Sequence, residues 1–276
     1  APPGPLYIDG GTFTAAATTT FAGTGDSEIE ATTYNNLGLS PSSNTSTATL
    51  DDPTEDGYIH QSFSTYTRDK TGDNIRWSYD GLTASNNGYV EWDISSIADV
   101  ATITLVKFKY HAAANEGVSC IYAMANQPSV QDDDDTGNAT IHGDAKDGTA
   151  YLSDNDTFPE TAEGGTNKAV GPDENVTWNT DPKADVQSAL ADDWFAFGFS
   201  TPEYNTNKIY SENKEDPAAD PKPTLYVEYT LPTPTYTLGT STGQTINING
   251  NLIAGDGTHA VIVTASTTNP TLDVNG

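Results

Sequence analysis

Residues 89–110, Y-V-E-W-D-I-S-S-I-A-D-V-A-T-I-T-L-V-K-F-K-Y, contain the densest apolar alternation in the chain. In the first half, apolar residues alternate with acidic ones, which is typical of a β-strand with one buried face. The apolar positions are Val90, Trp92 and Ile94, and the acidic positions are Glu91 and Asp93. The second half resumes as a strand in which Val106, Phe108 and Tyr110 alternate with Lys107 and Lys109. An antiparallel pair of these strands would need a bulge near Leu105, where the parity of the apolar residues changes. We place this pair at the centre of a β-sandwich core.

Short strand-like segments separated by turn signals continue on both sides of this stretch, and no helical period exceeds about two turns. The sequence therefore predicts an all-β fold, with an antiparallel β-sandwich as the first choice and a closed barrel as the second. We divide the chain into an N-terminal flank with a polar linker at 1–50, the sandwich at 51–231 and a C-terminal flank at 232–276. An acidic insertion at about 127–174 is either a functional loop or a surface excursion.

The chain carries 39 acidic and 11 basic residues, a formal charge of −28 at pH 7. This charge argues against nucleic acid as a partner, because phosphate binding needs clustered Lys and Arg. The surface is either a solvated, salt-adapted exterior or one partly neutralised by bound calcium. No apolar run approaches the length of a membrane span and no signal peptide precedes Ala1, so we expect no membrane insertion. The composition, rich in Thr, Ser, Asn and Gly with a single cysteine, resembles that of a mature extracellular or cell-surface protein of a prokaryote.

Sequence signals for catalysis are weak. Carboxylate pairs that could hydrolyse a glycosidic bond are so abundant among the 39 acidic residues that no pair is informative. The four histidines are far apart, and the chain has no phosphate-binding glycine motif and no Gly-x-Ser-x-Gly. We therefore predict that the protein is not an enzyme.

Three kinds of binding or modification site are predicted. Closely spaced carboxylates offer hard oxygen ligands for calcium, although they also fit a solvated acidic run. The candidate calcium ligands are Asp132, Asp134, Asp135, Asp144 and Asp147. Aromatic rings can stack on sugars, and once Trp92 and Trp194 are assigned to the core the carbohydrate-binding candidates are Trp77, Tyr79 and Trp178. Asn-x-Ser/Thr sequons, where a glycan could be attached, occur at Asn44, Asn138, Asn155 and Asn175.

The order of several strand ends resembles a known family. These segments are 56–59, 90–97, 101–103, 176–179, 185–186, 197–199, 210–212 and 223–229. In this order the sequence is similar to the DNRLRE-type domain over about 51–230. The resemblance implies a jelly-roll-like β-sandwich, of a kind found in secreted bacterial and archaeal surface proteins and beside polysaccharide-degrading modules. It implies a structural or carbohydrate-binding-like module, with no active site that maps onto these residues. The chain departs from the family at Asn86-Asn87-Gly88, where basic residues are often found, and in its long acidic insertion.

The two flanks share a short pattern. Residues 245–250 recur 26 positions later as residues 271–276. The matched apolar positions are Ile246 and Ile248 with Leu272 and Val274, and Leu6 and Ile8 fit the same hydrophobic-x-hydrophobic-Asx-Gly pattern. The repeat predicts β-solenoid coils, in which each coil buries its apolar residues by stacking on the next. A chance match in Thr/Asn/Gly-rich sequence and a fragment of a longer repeat protein are the alternatives.

Open coils would leave unpaired backbone groups, which favour strand-to-strand association. Identical subunits that stack head to tail through unlike ends build a filament unless the contact closes into a ring. We therefore expect a non-enzymatic subunit of an extracellular filament, sheath or layer, adhesive in some settings, whose partner is a second copy of itself. The alternative is a carbohydrate-binding module of a secreted adhesin or polysaccharide-degrading protein, with polysaccharide as the partner.

Overall fold

The structure is a computed structural model, and it describes residues 18–21, 27–29, 33–34, 37–39, 44–81, 83–114, 117–155, 158, 167–174, 176–211, 222–233, 235–238, 245–248, 251–254, 262–265 and 271–274. The predicted all-β class is confirmed. The regular structure of the described residues is mainly strand, with two short α-helices and two 3₁₀ helices.

The strands and helices fall into a first flank, a middle region and a second flank along the chain. The first flank contains β1 (Thr19–Phe21), β2 (Ser27–Ile29), β3 (Thr33–Tyr34) and β4 (Leu37–Leu39). The middle of the chain contains β5 (Thr45–Leu50), β6 (Glu55–Ser62), β7 (Thr65–Asp69), β8 (Asn74–Tyr79), β9 (Ala84–Asp93), β10 (Thr102–Ala114), β11 (Ser119–Ala123), β12 (Ala150–Asn155), β13 (Asn167–Val170), β14 (Trp194–Ser200), β15 (Asn205–Tyr210) and β16 (Thr224–Thr230). Its helices are α1 (Asp135–Asp144), α2 (Lys183–Ala189) and the 3₁₀ helices Pro128–Val130 and Leu190–Asp192. The second flank contains β17 (Thr235–Leu238), β18 (Thr245–Ile248), β19 (Leu252–Ala254), β20 (Ile262–Ala265) and β21 (Thr271–Val274).

These elements form two compact units. One unit is Thr47–Tyr229, and the other combines the two flanks, Ala1–Ser46 and Thr230–Gly276. The described residues of the two flanks therefore form one unit, and the middle of the sequence is inserted between them.

The middle unit is a jelly-roll-like antiparallel β-sandwich. Its twelve strands form one hydrogen-bonded sheet that divides at β9. On one side of β9, β8 pairs with Ser85 and Asn86, whereas β14 pairs with residues 88–93. One layer therefore has the order β7-β6-β9-β14-β11-β12, and the other has the order β8-β15-β10-β16-β5 with β13 added to β10.

Aromatic side chains fill the space between the layers. Trp92 on β9 meets Phe108 on β10 edge to face, with ring centroids 5.8 Å apart. Trp77 on β8 stacks on Phe199 on β14 at 5.1 Å. Aromatic pairs of this kind contribute about 0.5–1.5 kcal/mol each beyond the burial of their area. The predicted central strands thus do supply the core.

The partnership predicted for those strands is wrong. β9 and β10 lie in opposite layers and meet through side chains, so the change of parity near Leu105 requires no bulge. The irregular register of β10 lies between Ala112 and Ala114, where it pairs with β15. Glu91 was placed on the polar face by alternation, yet it is fully buried. The acidic insertion covers this face of β9, which alternation within one strand cannot reveal.

The acidic insertion contains regular structure. The 3₁₀ helix Pro128–Val130, α1, β12 and β13 all lie within its predicted range. The apolar pattern of α1 is weak because the buried residues of this helix are mostly polar or small. They are Gly137, Asn138, Ile141, His142 and Asp144. A search for apolar periodicity therefore misses this helix.

The flank unit is a three-sided β-solenoid. Its described strands form three parallel sheets of three strands each, ordered β1-β4-β19, β2-β17-β20 and β3-β18-β21. Along the chain the strands visit these sheets in one repeating order. The first coil is β1 to β3, the middle coil is β4, β17 and β18, and the last described coil is β19 to β21. The sandwich is inserted in the chain between two strands of the middle coil.

All three sheets contribute to the solenoid core. Its buried side chains are Ile29, Leu37, Leu39, Tyr236, Ile246 and Ile248, with Phe21 and Leu252 packed against them. Five of the six buried residues belong to the middle coil, because a coil is covered fully only when another lies on each side of it.

Candidate functional site

The last described coil of the solenoid leaves apolar side chains uncovered. β21 pairs in parallel with β18, with Ile246 opposite Leu272 and Ile248 opposite Val274. Residues that pair in parallel point to the same side of the sheet, so all four side chains face the solenoid core. Ile246 and Ile248 are completely buried, whereas Leu272 and Val274 are 38% and 42% exposed. Within the described residues, no further coil covers this end.

The 26-residue repeat therefore corresponds to a single turn of the coil, with the register that the sequence match indicates. On the opposite side of β18, Asn247 pairs with Thr33 and Ile248 with Tyr34 of β3. Leu6 and Ile8, the assembly residues predicted in the first flank, lie outside the described residues. The sequence signal for the last described coil was the repeat itself.

Arg68 fastens the acidic insertion to the β6–β7 hairpin. Its guanidinium is almost completely buried and forms an ion pair with Glu55 at 2.9 Å. Its Nε donates to Asn138 Oδ1 at 2.9 Å. The remaining donors reach the backbone carbonyls of Pro128, Gln131 and Asp132 at 3.2 to 3.4 Å. An arginine has five N–H donors, and here each has an acceptor, so one side chain orients the whole start of the insertion.

Glu91 provides a second anchor for the same segment. Its two carboxylate oxygens accept hydrogen bonds from Gln127 Nε2 at 2.9 Å, from the Ser129 hydroxyl at 2.8 Å and from the Ser129 backbone N–H at 2.7 Å. A buried carboxylate is tolerated only when its oxygens are hydrogen-bonded in this way. Arg68 and Glu91 therefore hold the 3₁₀ helix and α1 in place from two strands.

Most of the predicted calcium ligands already accept hydrogen bonds from backbone N–H groups. Asp134 caps α1 by accepting from the Gly137 N–H at 2.8 Å, and Asp135 accepts from the Tyr66 N–H at 2.6 Å. Asp144 accepts from the N–H groups of Ala125 and Asn126 at 2.9 and 2.7 Å. Asp132 and Asp147 are exposed. In the part of the chain that the structure describes, no three His, Cys, Asp or Glu side chains are grouped as metal ligands.

The aromatic residues predicted to stack on sugars are in three different environments. Trp77 is fully buried, and its indole N–H donates to the Ser119 hydroxyl at 3.0 Å. Its assignment as a sugar-stacking residue is therefore wrong, because its ring faces the core as part of the regular alternation of β8. Trp178 is half-buried and donates to the Val106 carbonyl at 3.0 Å. Tyr79 is 40% exposed.

Tyr79 lies beside a pocket of about 380 Å³ that sequence reasoning missed. Tyr204, 79% exposed, lies on the turn before β15 and forms another wall. Arg76 also lines the pocket, and its Nε is buried without an acceptor among the described residues. The available sequence signal was composition, since Arg68 and Arg76 are the only arginines in a strongly acidic chain.

A more apolar groove of about 430 Å³ lies between α2 and the neighbouring strand ends. Its walls include Met124, Trp194 and Asp185. The Tyr151 hydroxyl donates to Asp185 at 2.7 Å, and burial together with this carboxylate raises the pKa of Tyr151. Asp185 is thus engaged as a structural acceptor within the groove wall.

The predicted glycosylation sites differ in accessibility. Asn138 is a buried residue of α1 whose side chain bonds Arg68 and Asp133, so the folded protein cannot accept a glycan there. Asn44 is half-buried and donates to the Leu231 carbonyl at 3.3 Å. Asn155 is half-buried and accepts from the Phe158 N–H at 3.0 Å. Asn175 lies outside the described residues.

His142, a residue of α1, is buried, and its ring is held against Ser85 and Tyr66. Burial in the interface of α1 lowers its pKa to about 3, with smaller contributions from Lys146 and His60. Its Nε2 lies 3.0 Å from the Ser85 hydroxyl, and its ring meets Tyr66 edge to face at 5.3 Å. The neutral imidazole is therefore part of the packing between α1 and the sandwich.

Comparison with protein-family models and with curated protein sequences gives no match for this chain. Of the helices among the described residues, none is long and apolar enough to cross a bilayer.

Proposed function

We propose that the protein is a non-enzymatic structural subunit that assembles outside the cell into a filament, sheath or layer by stacking its β-solenoid on that of another copy. The observation that carries this proposal is the contrast between two equivalent coils. Ile246 and Ile248 are fully buried in the middle coil, while Leu272 and Val274 are exposed at the same register positions. A coil from a second copy would cover them as the last coil covers the middle one.

The two exposed side chains contribute too little free energy to hold two copies together, so we expect assembly to need the docking of a complete coil. Full burial of a Leu or Val side chain contributes roughly 1.5–3 kcal/mol. Because Leu272 and Val274 are about two-fifths exposed, covering them contributes only about 1–2 kcal/mol together. A micromolar contact requires about 8 kcal/mol. The rest must come from backbone hydrogen bonds along three strand edges, which form together only when a complete coil docks.

The sandwich is inserted in the chain between two strands of the middle coil. The resemblance of 51–230 to the DNRLRE-type domain supports an extracellular setting, because such domains occur in secreted surface proteins. The alternative function, a carbohydrate-binding module, has weaker support because Trp77 lies in the core and Trp178 is half-buried. Calcium bound by the acidic insertion is retained as a proposal that chelation during assembly would test.

The decisive experiment is negative-stain electron microscopy of the full chain over a range of protein and salt concentrations. High salt should favour assembly, because copies that each carry a charge of −28 repel one another until the charges are screened. The double variant Leu272→Asp/Val274→Asp should stay monomeric, since it would bury two carboxylates at the contact. Val100→Asp is the matched control, because Val100 is an exposed apolar residue of the sandwich.

Sedimentation velocity gives the quantitative readout for the same proteins. We expect large assemblies for the wild type and for Val100→Asp, and a single monomeric species for the double variant. A wild type that sediments as a monomer throughout, or a double variant that assembles as the wild type does, would refute stacking through this end.

A further inference from the structure

Two positive charges lie side by side on the outer face of the sandwich. Arg76 on β8 pairs directly with Lys208 on β15, so the two side chains emerge on the same face. Like charges directly opposite each other destabilise a pair of strands. Among the described residues, neither side chain has an ion pair or a hydrogen bond. Within that part of the chain, no Asp or Glu side chain forms an ion pair with either cation, although the sequence has 39 acidic residues.

Other basic residues show the contrast. Ion pairs with carboxylates within the chain are formed by Arg68, Lys70, Lys107, Lys183 and Lys222. The Arg76–Lys208 pair therefore places two cations side by side on a protein that is negative overall. The one carboxylate that lines the pocket with Arg76, Asp80, accepts hydrogen bonds from the Thr83 and Ala84 N–H groups. Such a pair of cations attracts an acidic group from outside the molecule.

Two exposed tyrosines, Tyr79 and Tyr204, line a pocket with Arg76, and Asp80 also lines it. We call Arg76, Tyr79 and Tyr204, together with the Lys208 that pairs with Arg76, the tyrosine–cation patch. Tyr204 packs over Gly81, where an added Cβ would be only 3.2 Å from the ring. This glycine, with φ of +81°, lets the turn approach the ring closely. Tyrosine and arginine are enriched in protein interfaces, where they serve as anchors. The patch therefore suits a partner that presents an apolar group next to carboxylates.

The chain itself carries a segment with that pattern. Val130 is 65% exposed, and it is followed after one residue by the exposed Asp132, Asp133 and Asp134. Arg68 bonds the carbonyls of Gln131 and Asp132, so the segment is held in one conformation before it meets a partner. Preorganisation of this kind lowers the entropic cost of binding. Among the described residues, nothing links this segment to Arg76 or Lys208 within one copy.

We propose that the tyrosine–cation patch of one copy binds the acidic segment 130–134 of a second copy, so that neighbouring sandwiches contact each other side by side. This inference rests on the proposed assembly, and it adds a lateral contact to the end-to-end stacking of the solenoids. Charge complementarity selects the occupant, since a contact between opposite charges offsets part of the repulsion between two copies that are each strongly negative.

Zero-length carbodiimide cross-linking of a mixture of ¹⁴N- and ¹⁵N-labelled chains tests this contact. Under assembly conditions we expect a mixed-isotope peptide pair that joins Lys208 to Asp132, Asp133 or Asp134. Lys208→Gln should abolish this pair. Lys183→Gln, which makes the same charge change at another exposed lysine, should leave its yield within about twofold of the wild type. Asp132→Lys should also abolish it, and mixing Asp132→Lys with Lys208→Asp chains should restore lateral association that either protein lacks alone.

The outcomes separate this inference from the proposed function. Filaments without the Lys208 cross-link would overturn the lateral contact and leave end-to-end stacking intact, whereas the cross-link without filaments would support the contact alone. Polygalacturonate is the competing ligand to test. If it binds the wild type, loses at least tenfold in affinity to Arg76→Gln/Lys208→Gln, and no cross-link forms between copies, the patch is a saccharide site and the inference is wrong.

Discussion

Replacing Arg68 by methionine should destabilise the sandwich by about 3–4 kcal/mol. The substitution keeps an unbranched side chain but removes one charge and five hydrogen bonds, to Glu55, Asn138 and three backbone carbonyls. Removing one partner of a buried ion pair costs about 3–5 kcal/mol. The lower part of this range applies, because the Glu55 carboxylate still accepts a hydrogen bond from the Tyr89 hydroxyl at 2.8 Å and keeps its ion pair with Lys70 at 3.3 Å.

Urea denaturation followed by tryptophan fluorescence measures the free energy of unfolding of the sandwich. All four tryptophans lie within Thr47–Tyr229, so the signal reports the sandwich and not the solenoid. The matched control is Lys70→Met, which removes the more exposed cation from the same Glu55 carboxylate. Exposed pairs contribute at most about 1 kcal/mol. If Arg68→Met loses no more stability than Lys70→Met, then Arg68 does not fasten the insertion and the reasoning is wrong.

Three further predictions concern the same unit. The pKa of His142 is lowered to about 3 in the folded state and is about 6.5 in the unfolded state, so its contribution to stability is present above about pH 6.5 and is lost as the pH falls toward 3. The wild type should therefore lose about 2 kcal/mol more of its free energy of unfolding than His142→Gln between pH 7 and pH 5. Equal losses for the two proteins in urea titrations would contradict this. Gly198→Ala places a Cβ 2.4 Å from the Ala145 backbone and should cost about 1–3 kcal/mol. An added Cβ at Gly143 meets nothing within 4 Å, so Gly143→Ala should stabilise α1 by about 0.5–1 kcal/mol. A similar melting temperature for Gly198→Ala and Gly143→Ala would count against close packing of α1 on β14. Trp77→Ala should cost about 3–5 kcal/mol as a core truncation, whereas Tyr79→Ala should cost less than about 1 kcal/mol; an intact melting temperature for Trp77→Ala would show that its ring is outside the core.

Alternation within one strand could predict which residues of β9 and β10 reach the core, but not how the two strands meet. Val90 and Trp92 are buried, as expected from their period of two, and so are Phe108 and Tyr110. Strands that pair side by side and strands that face each other across a sandwich produce the same alternation. The sequence of a single strand therefore leaves the pairing open, and the ring contact between Trp92 and Phe108 decides it.

Burial by distant segments is the other information that local patterns lack. Glu91 has the alternation of an exposed residue, but the insertion that begins at Gln127 covers it and supplies its hydrogen bonds. Tyr204 and Arg76 are likewise distant in sequence and share a pocket only because β8 and β15 are neighbours. The 26-residue repeat behaves differently, since a parallel coil places equivalent sequence positions side by side.

The position of the inserted sandwich also bears on how the solenoid forms. The middle coil takes β4 from the first flank and β17 and β18 from the second, so its core requires two segments that are separated by the whole sandwich. Closing a flexible loop costs entropy that grows with its length. In the folded sandwich, however, the first strand β5 and the last strand β16 are adjacent, and Asn44 is hydrogen-bonded to Leu231 at the base of the insertion. Folding of the sandwich therefore brings the flanks together and leaves only a short gap to close. We therefore expect variants that destabilise the sandwich, such as Arg68→Met, also to disfavour the middle coil whose stacking we propose.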